Sequence, residues 1–320
     1  MTKRGIGVGL LGLGTVGSAV ARAFGDRSRL LDAAAGRSVR LVGAAVRDAA
    51  RPRDAGGVSV TEDPFAILDA SEVDVIVEAI GGREPASDLH HAAFERGKHV
   101  VTANKELVAC EWDALHEAAR LAKRQLRYEA AVAAGVPVIA GAQGLGAARA
   151  RSVRGLLNGT TAYICSRLDA GVTFDAALAE AQAAGYAEAD PSKDVDGWDA
   201  AYKLSILVSI LAGRHFPPEN IRRESLRDAT PESSASALAR GARLRHVAAA
   251  DFGAKATKGR VGPEEVPADS LEGTAMGATS VVTIDTDLTG RLAWMGAGAG
   301  GDATASAILG DVIAIARAAP

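Results

Sequence analysis

The chain has 320 residues, 48% of them apolar and 23% charged, which is enough for about two domains with separate cores. A net charge of -3 gives no electrostatic footprint for nucleic acid or an anionic membrane surface. Two cysteines, Cys110 and Cys165, exclude a disulfide framework and suit a reducing compartment, and neither they nor the six histidines stand at metal-ligand spacing.

The start, "MTKRGIGVGLLGLGTVGSAVARAFG", has the charge and apolar run of a signal peptide, but Gly5, Gly7, Gly9, Gly12, Gly14 and Gly17 interrupt it. No other apolar run approaches the ~20 residues of a membrane span, so the expected location is cytoplasmic. The glycines fit a different design. Residues 5–11 read as a buried strand that runs into Gly12-Leu13-Gly14-Thr15-Val16-Gly17 and then a helix to about Phe24. This is G-x-G-x-x-G in its strand–turn–helix setting. Gly12 is assigned to the turn, Gly14 to close approach of a pyrophosphate, and Gly17 to helix packing, with free helix N–H groups facing the phosphates.

A second strand is expected at 39–48, a third at 73–82, a helix near 86–96 and a fourth strand at 98–104. This alternation predicts a parallel sheet covered on both faces, a Rossmann domain, with ligands at the carboxyl ends of the strands. Ile80, Gly81, Asn104 and Lys105 fall at such ends. At the end of the second strand Arg47 precedes Asp48, with Arg51 and Arg53 close behind. An arginine here pairs with the 2′-phosphate of NADP, whereas an acid binds the ribose of NAD; the balance favours NADP with NAD as the alternative.

After residues 126–141 the pattern changes. "GLLNGTTAYICSRL" (155–168) leads from a polar turn into an amphipathic helix, and another helix is expected near 174–184. "GYAEADPSKDVDGWDAAYKL" (185–204) then gathers Glu188, Asp190, Asp194, Asp196 and Asp199 ahead of Lys203. Asp199 and Lys203 are four apart on the helix expected from Trp198, followed on that face by Ile206, Leu207 and Ile210. Lys203 therefore stands where polar surface gives way to core, while Asp196 reads either as part of the acidic cluster or simply as a cap for this helix. Beyond Arg214 shorter alternating segments, including 280–288, suggest an open, mostly antiparallel or mixed sheet. The chain closes on "GAGAGG" and one more apolar helix. That glycine run, with Gly300, reads either as an approach to the nicotinamide ribose or as a tight turn.

The chain resembles the homoserine dehydrogenase family over nearly its whole length. The resemblance is carried by "GLGTVGSAV", "TANKELVA", "YEAAVAAGVPVI", "NGTTAYI", "GYAEADPSKDVDGWDAAYKLSIL" and "GAGAGGDATASAILGDV", in that order. It implies an α/β fold with an N-terminal Rossmann domain, 1–130, completed by the C-terminal helix, 301–320. It also implies an α+β substrate-binding and dimerisation domain, 131–300, with an open mixed sheet. The implied reaction interconverts L-homoserine and L-aspartate 4-semialdehyde with NAD(P) in a homodimer. The family's catalytic lysine falls on Lys203, its substrate carboxylates on Glu188, Asp194 and Asp199, and a further site lysine on Lys105. Gly159, Thr160 and Tyr186 match positions lining the substrate pocket. Glu129, Val132, Ala134 and Val136 match a structural monovalent-cation site, for Na+, built largely from backbone carbonyls. Ala162 and Ile80 depart from the residues usual in the family. No regulatory extension is expected after Pro320.

The chemistry suits these residues. Hydride delivery to an aldehyde generates an alkoxide, which an ammonium group can protonate and stabilise. Carboxylates can hold the substrate's α-ammonium, with Glu188 the candidate for that contact and Asp199 for Lys203 or the substrate hydroxyl. Cys165, on the helix after "NGTT", is read as a packing residue rather than a thiol nucleophile. Two other readings remain at this stage: a reductase of another amino-acid semialdehyde, and a non-catalytic dinucleotide sensor. Intact Lys203, Lys105 and acidic cluster argue against the second.

Overall fold

A computed structural model describes residues 4–51, 53–187, 189–253 and 256–320. The chain divides into two units, one running to Gly135 and regaining Gly300–Pro320, the other Val136–Ala299. The crossing lies at Gly135–Val136 rather than after residue 130.

The first unit is a six-stranded parallel sheet in the order β3-β2-β1-β4-β5-β6. Its strands are β1 (Ile6–Leu11), β2 (Val39–Ala45), β3 (Val60–Thr61), β4 (Val75–Glu78), β5 (His99–Thr102) and β6 (Leu126–Arg127). Helices α1 (Thr15–Asp26), α2 (Ser28–Ala35), α3 (Pro64–Asp69), α4 (Ala86–Glu95), α5 (Lys105–Cys110) and α6 (Trp112–Ala122) connect them. Every residue of β1 is buried, which explains its unbroken apolar run. The strand order reverses at β1 and β4, so the ligand crevice of such a sheet opens at their carboxyl ends. β4 stops at Glu78, short of the 73–82 expected, because Gly81 and Gly82 take positive φ (80° and 73°) and turn the chain away. The C-terminal helix Gly301–Ala318 completes this unit. Its Ile308, Val312 and Ile315 share a core with Val8, Leu10 and Val20. Arg37 anchors the helix end by donating to the carbonyls of Ala319 and Pro320 (2.7 and 3.2 Å).

The second unit carries a six-stranded mixed sheet in the order β12-β11-β7-β9-β10-β8. Its strands are β7 (Ala150–Leu156), β8 (Ile221–Arg223), β9 (Ala242–Phe252), β10 (Thr257–Pro267), β11 (Thr279–Thr286) and β12 (Arg291–Ala297). All pairs are antiparallel except β8 with β10. The helices are α7 (Val138–Gln143), α8 (Gly159–Asp169), α9 (Phe174–Ala183), α10 (Ser192–Val195), α11 (Trp198–Ala212), α12 (Pro231–Ala239) and α13 (Leu271–Thr274). β9 and β10 are eleven residues each, longer than the segments expected in this region. Among the described residues no helix is long and apolar enough to cross a membrane.

Candidate active site

In the first unit the turn after β1 is built by its glycines. Gly12 has φ +97°, and a Cβ there would fall 2.7 Å from the carbonyl oxygen of Ala79. A Cβ on Gly17 would overlap the Gly12 carbonyl, so Gly17 lets the helix seat on the turn. Gly14 faces open space and caps α1 without a side-chain bond, which leaves first-turn N–H groups for an anion. A cavity of about 730 Å³ opens there, lined by Gly12, Leu13, Gly14, Thr15 and Ser18 from the turn and α1. Arg47, Arg51 and Arg53 line it beyond β2, and Ala79, Ile80 and Gly81 beyond β4. A glycine turn, an open helix end and three guanidinium groups fit a dinucleotide.

Val16, Gly17, Lys105 and Gly300 are not among the lining residues of this cavity. Val16 packs against the core. Lys105 is the half-buried first residue of α5, which the Asn104 side chain caps by accepting from the Leu107 N–H (3.1 Å). Gly300 caps the C-terminal helix with φ +117°.

In the second unit Asp199 meets Lys203 directly and Asp194 joins them through Asn158. Gly197, with φ +81°, opens α11, and Asp199 and Lys203 then meet one turn apart, with Nζ 2.6 Å from Oδ2. Lys203 also donates to the Leu157 carbonyl (2.7 Å). The next residue, Asn158, binds both sides of the cluster. Its Oδ1 caps α8 by accepting from the Thr161 N–H (2.8 Å), while Nδ2 donates to Asp194 Oδ1 (2.7 Å) and Asp199 Oδ2 (2.9 Å). Thr160 Oγ1 lies 2.7 Å from the Tyr186 carbonyl oxygen and 3.1 Å from Asp194 Oδ2, so its single proton is shared between these two acceptors. Tyr186 itself is 45% exposed and stacks near Tyr163. Gly159, the first residue of α8, lies against Ala278 with room for little more than a Cβ. Asn158 is the residue that sequence reasoning passed over; its only signal was the "NGTT" turn itself.

Burial pushes the Asp194 carboxyl above the usual aspartate range, and the neighbouring Asp199 adds to that rise against the donors from Asn158 and Thr160 and the charge of Lys203. Glu188 lies outside the described residues. Asp196 does not cap α11, because Gly197 takes that position; it accepts instead from Ser225 Oγ (2.7 Å) and pairs with Arg227 (3.1 Å). Cys165 is fully buried, and burial pushes its thiol up to about 12, which makes it a packing residue and a poor nucleophile.

The loop after the 3₁₀ turn Glu129–Ala131 contains Val132 and Ala134. Ala133 and Ala134 take positive φ (56° and 50°) although neither is glycine, and both are buried. The Glu129 N–H bonds Asp311 Oδ2 (2.8 Å), and Val136, the first residue of the second unit, accepts at its carbonyl from Val138 (2.8 Å). Among the described residues no three His, Cys, Asp or Glu side chains could hold a metal ion, so a cation here would depend on backbone carbonyls.

Two family models match the chain: homoserine dehydrogenase over residues 137–313, and the homoserine dehydrogenase NAD-binding domain over residues 12–129. The homoserine dehydrogenase of Mycobacterium tuberculosis is 38% identical over 322 residues, covering 98% of this chain and 73% of that protein. That of Pseudomonas aeruginosa is 39% identical over 313 residues, covering 97% and 72%. Among solved structures, a homoserine dehydrogenase from Thiobacillus denitrificans superposes with a TM-score of 0.94 at 39% identity, covering 98% of this chain and 74% of that one. A hyperthermophilic archaeal homoserine dehydrogenase in complex with NADPH gives 0.84 at 26% identity, covering 99% of both.

Proposed function

The chain belongs to the homoserine dehydrogenase family and so interconverts L-homoserine and L-aspartate 4-semialdehyde with NAD(P), and we propose that Lys203 exchanges the proton in that reaction. The observation that carries this reading is the pairing of Lys203 with Asp199 at 2.6 Å, in a cluster clamped by Asn158. The nicotinamide, when bound, would supply the hydride in reduction and take it up in oxidation. An ammonium has three N–H donors; Asp199 and the Leu157 carbonyl take two of them, and the third serves the substrate oxygen. In reduction Lys203 protonates the developing alkoxide, and in oxidation its amine accepts the hydroxyl proton. Asp199 holds the ammonium in place. Asp194, with Glu188, is assigned to the substrate's α-ammonium, and Gly159, Thr160 and Tyr186 shape the pocket around it. Lys105 is assigned to substrate or nicotinamide.

The proposed cofactor contacts in the crevice are Gly12, Gly14 and Thr15 at the pyrophosphate turn and Ile80 beyond β4; Val16, Gly17 and Gly300, which do not line the cavity, are assigned to supporting the turn and the start of the C-terminal helix. NADP is the preferred form in this reading, because three arginines line the cavity on the side of β2, where the acid Glu62 already accepts from the Ala49 N–H (2.8 Å), while the other lining acid, Glu84, lies beyond β4. A monovalent cation such as Na+ would be held by carbonyls of the Glu129–Val136 loop, where it would brace two left-handed alanines. A homodimer through the second unit accords with β12, which exposes Met295 and leaves Leu292 and Trp294 half-buried. A reducing, cytoplasmic setting accords with a chain that carries only two cysteines. The test is NADPH oxidation with aspartate semialdehyde and NADP reduction with homoserine, each repeated with NADH and NAD. Turnover with wild-type enzyme that persists in a Lys203→Met variant would overturn the assignment.

A further inference from the structure

Glu78 ends β4 with no exposed surface, yet it is a carboxylate. Its Oε1 accepts from the N–H groups of Ile80 (2.6 Å) and Gly81 (3.0 Å), two residues that line the dinucleotide cavity. Its Oε2 accepts from Thr102 Oγ1 (2.7 Å) and lies 3.3 Å from His90 Nε2, itself fully buried. Burial alone would raise this carboxyl, but the neighbouring His90 and the donors Thr102 and Gly81 outweigh it and hold the group below the usual range. The bonding continues across the sheet edge. Thr102 Oγ1 accepts from the Asn104 N–H (2.9 Å), and Asn104 Nδ2 donates to the Gly82 carbonyl (2.6 Å) while Oδ1 caps α5, where Lys105 stands. The Ala79 carbonyl meanwhile abuts the Gly12 turn.

We propose that Glu78 is a positioning residue: it fixes the loop Ala79–Gly82 in the conformation that receives the dinucleotide and ties that loop to the start of α5. Glu78 does not line the cavity, so it acts through Ile80 and Gly81 rather than by touching the cofactor. Among the described residues no other acceptor takes those two N–H groups, and without the carboxylate the glycine pair 81–82 loses the contact that holds its turn. The loop meets the part of the molecule common to NAD and NADP, whereas Arg47 lies on the β2 side of the same cavity. Loss of Glu78 must therefore weaken both dinucleotides alike.

The inference rests on the dinucleotide reading of the cavity, and fluorescence titration of the wild-type enzyme with NADPH and NADH tests that reading first. Glu78→Gln, Glu78→Asp and Glu78→Ala are then titrated in the full chain, alongside Ile315→Ala, a cavity-forming change in the same unit's core away from the loop. Glutamine keeps the reach and an acceptor, and should hold both Kd values within about threefold of wild type. Aspartate is a methylene too short to span from Ile80 to Thr102, and should weaken both by about tenfold or more, alanine at least as much. Ile315→Ala should lower Tm with Kd unchanged. Should the alanine variant fail to fold, the glutamine–aspartate pair still decides. Aspartate and alanine variants that lose Tm yet bind both dinucleotides like wild type would reduce Glu78 to a structural residue and overturn the proposal, as would a loss confined to NADPH.

Discussion

Lys203 Nζ lies 2.6 Å from Asp199 Oδ2, one helical turn away on α11, and both side chains are about nine-tenths buried (12% and 9% exposed). A lysine bound on one side and open on another is a poised donor. Lys203→Met should lower kcat by ~10²–10⁴-fold while NADPH affinity, measured by fluorescence, stays unchanged. Methionine keeps much of the stem and removes the ammonium. Because it leaves Asp199 without its cation, Tm should also fall. Asp199→Asn should lie between wild type and Lys203→Met in kcat. A Lys203→Met enzyme with near-normal kcat would move the proton transfer to Lys105.

Asn158 separates two roles that substitutions can test apart. Serine retains a capping oxygen for α8 but cannot span to both carboxylates, so Asn158→Ser should keep the fold and raise the KM for homoserine by about tenfold. Asn158→Asp also keeps the capping acceptor, yet it sets a third carboxylate against Asp194 and Asp199. It should be worse than serine in both KM and Tm at neutral pH. Equal behaviour of the two variants would show that the amide does not clamp the acids.

The parts of the fold and site that could be read from the sequence are those whose causes are local. The glycine turn is contiguous, and Asp199 and Lys203 declare their shared face by spacing and by the apolar residues that follow. Asn158 could not be read that way, since its partner Asp199 is 41 positions distant and reached only because α11 returns to the end of β7. Glu78, inside "VDVIVEAIGG", passes for an interior residue of the strand expected at 73–82 until the chain's turn at Gly81 brings N–H groups onto it. β10 was hidden by Pro263 and Pro267, residues that ordinarily break a central strand. They are tolerated because β8 pairs only with Gly259–Val261, so beyond that point β10 is an edge.

The NADP reading turns on charge at the cavity's β2 side. Arg47→Ala should weaken NADPH by roughly tenfold to a hundredfold, the range for a lost charged hydrogen bond, with NADH affected much less. Arg51 and Arg53 line the same cavity, so the double variant Arg47→Ala/Arg51→Ala should widen the gap. Both affinities come from the same titration. Equal losses for the two cofactors would place Arg47 away from the 2′-phosphate.

Asp194 is the group whose function should oppose its stability. Its folded-state pKa is raised, chiefly by burial and then by Asp199, so the folded chain binds this proton more tightly than the unfolded chain does. Stability from such a group is fully present below the unfolded pKa and is lost as pH rises through the folded value. At neutral pH the wild-type protein therefore carries an ionised Asp194 at a cost, held ready for the substrate's ammonium. Asp194→Asn removes that cost, because an amide can accept from Asn158 and donate to Thr160 without charge. The variant should melt about a few degrees above wild type at neutral pH, with the gain shrinking on acidification and gone below the ordinary aspartate range. Its KM for homoserine should meanwhile rise by about tenfold or more, as a charged contact is lost. Thermal melts of both proteins from about pH 4 to about pH 8, paired with homoserine kinetics, measure the two effects. A variant less stable than wild type at neutral pH, or a difference that does not change with pH, would mean that Asp194 is held ionised by favourable partners rather than against its burial.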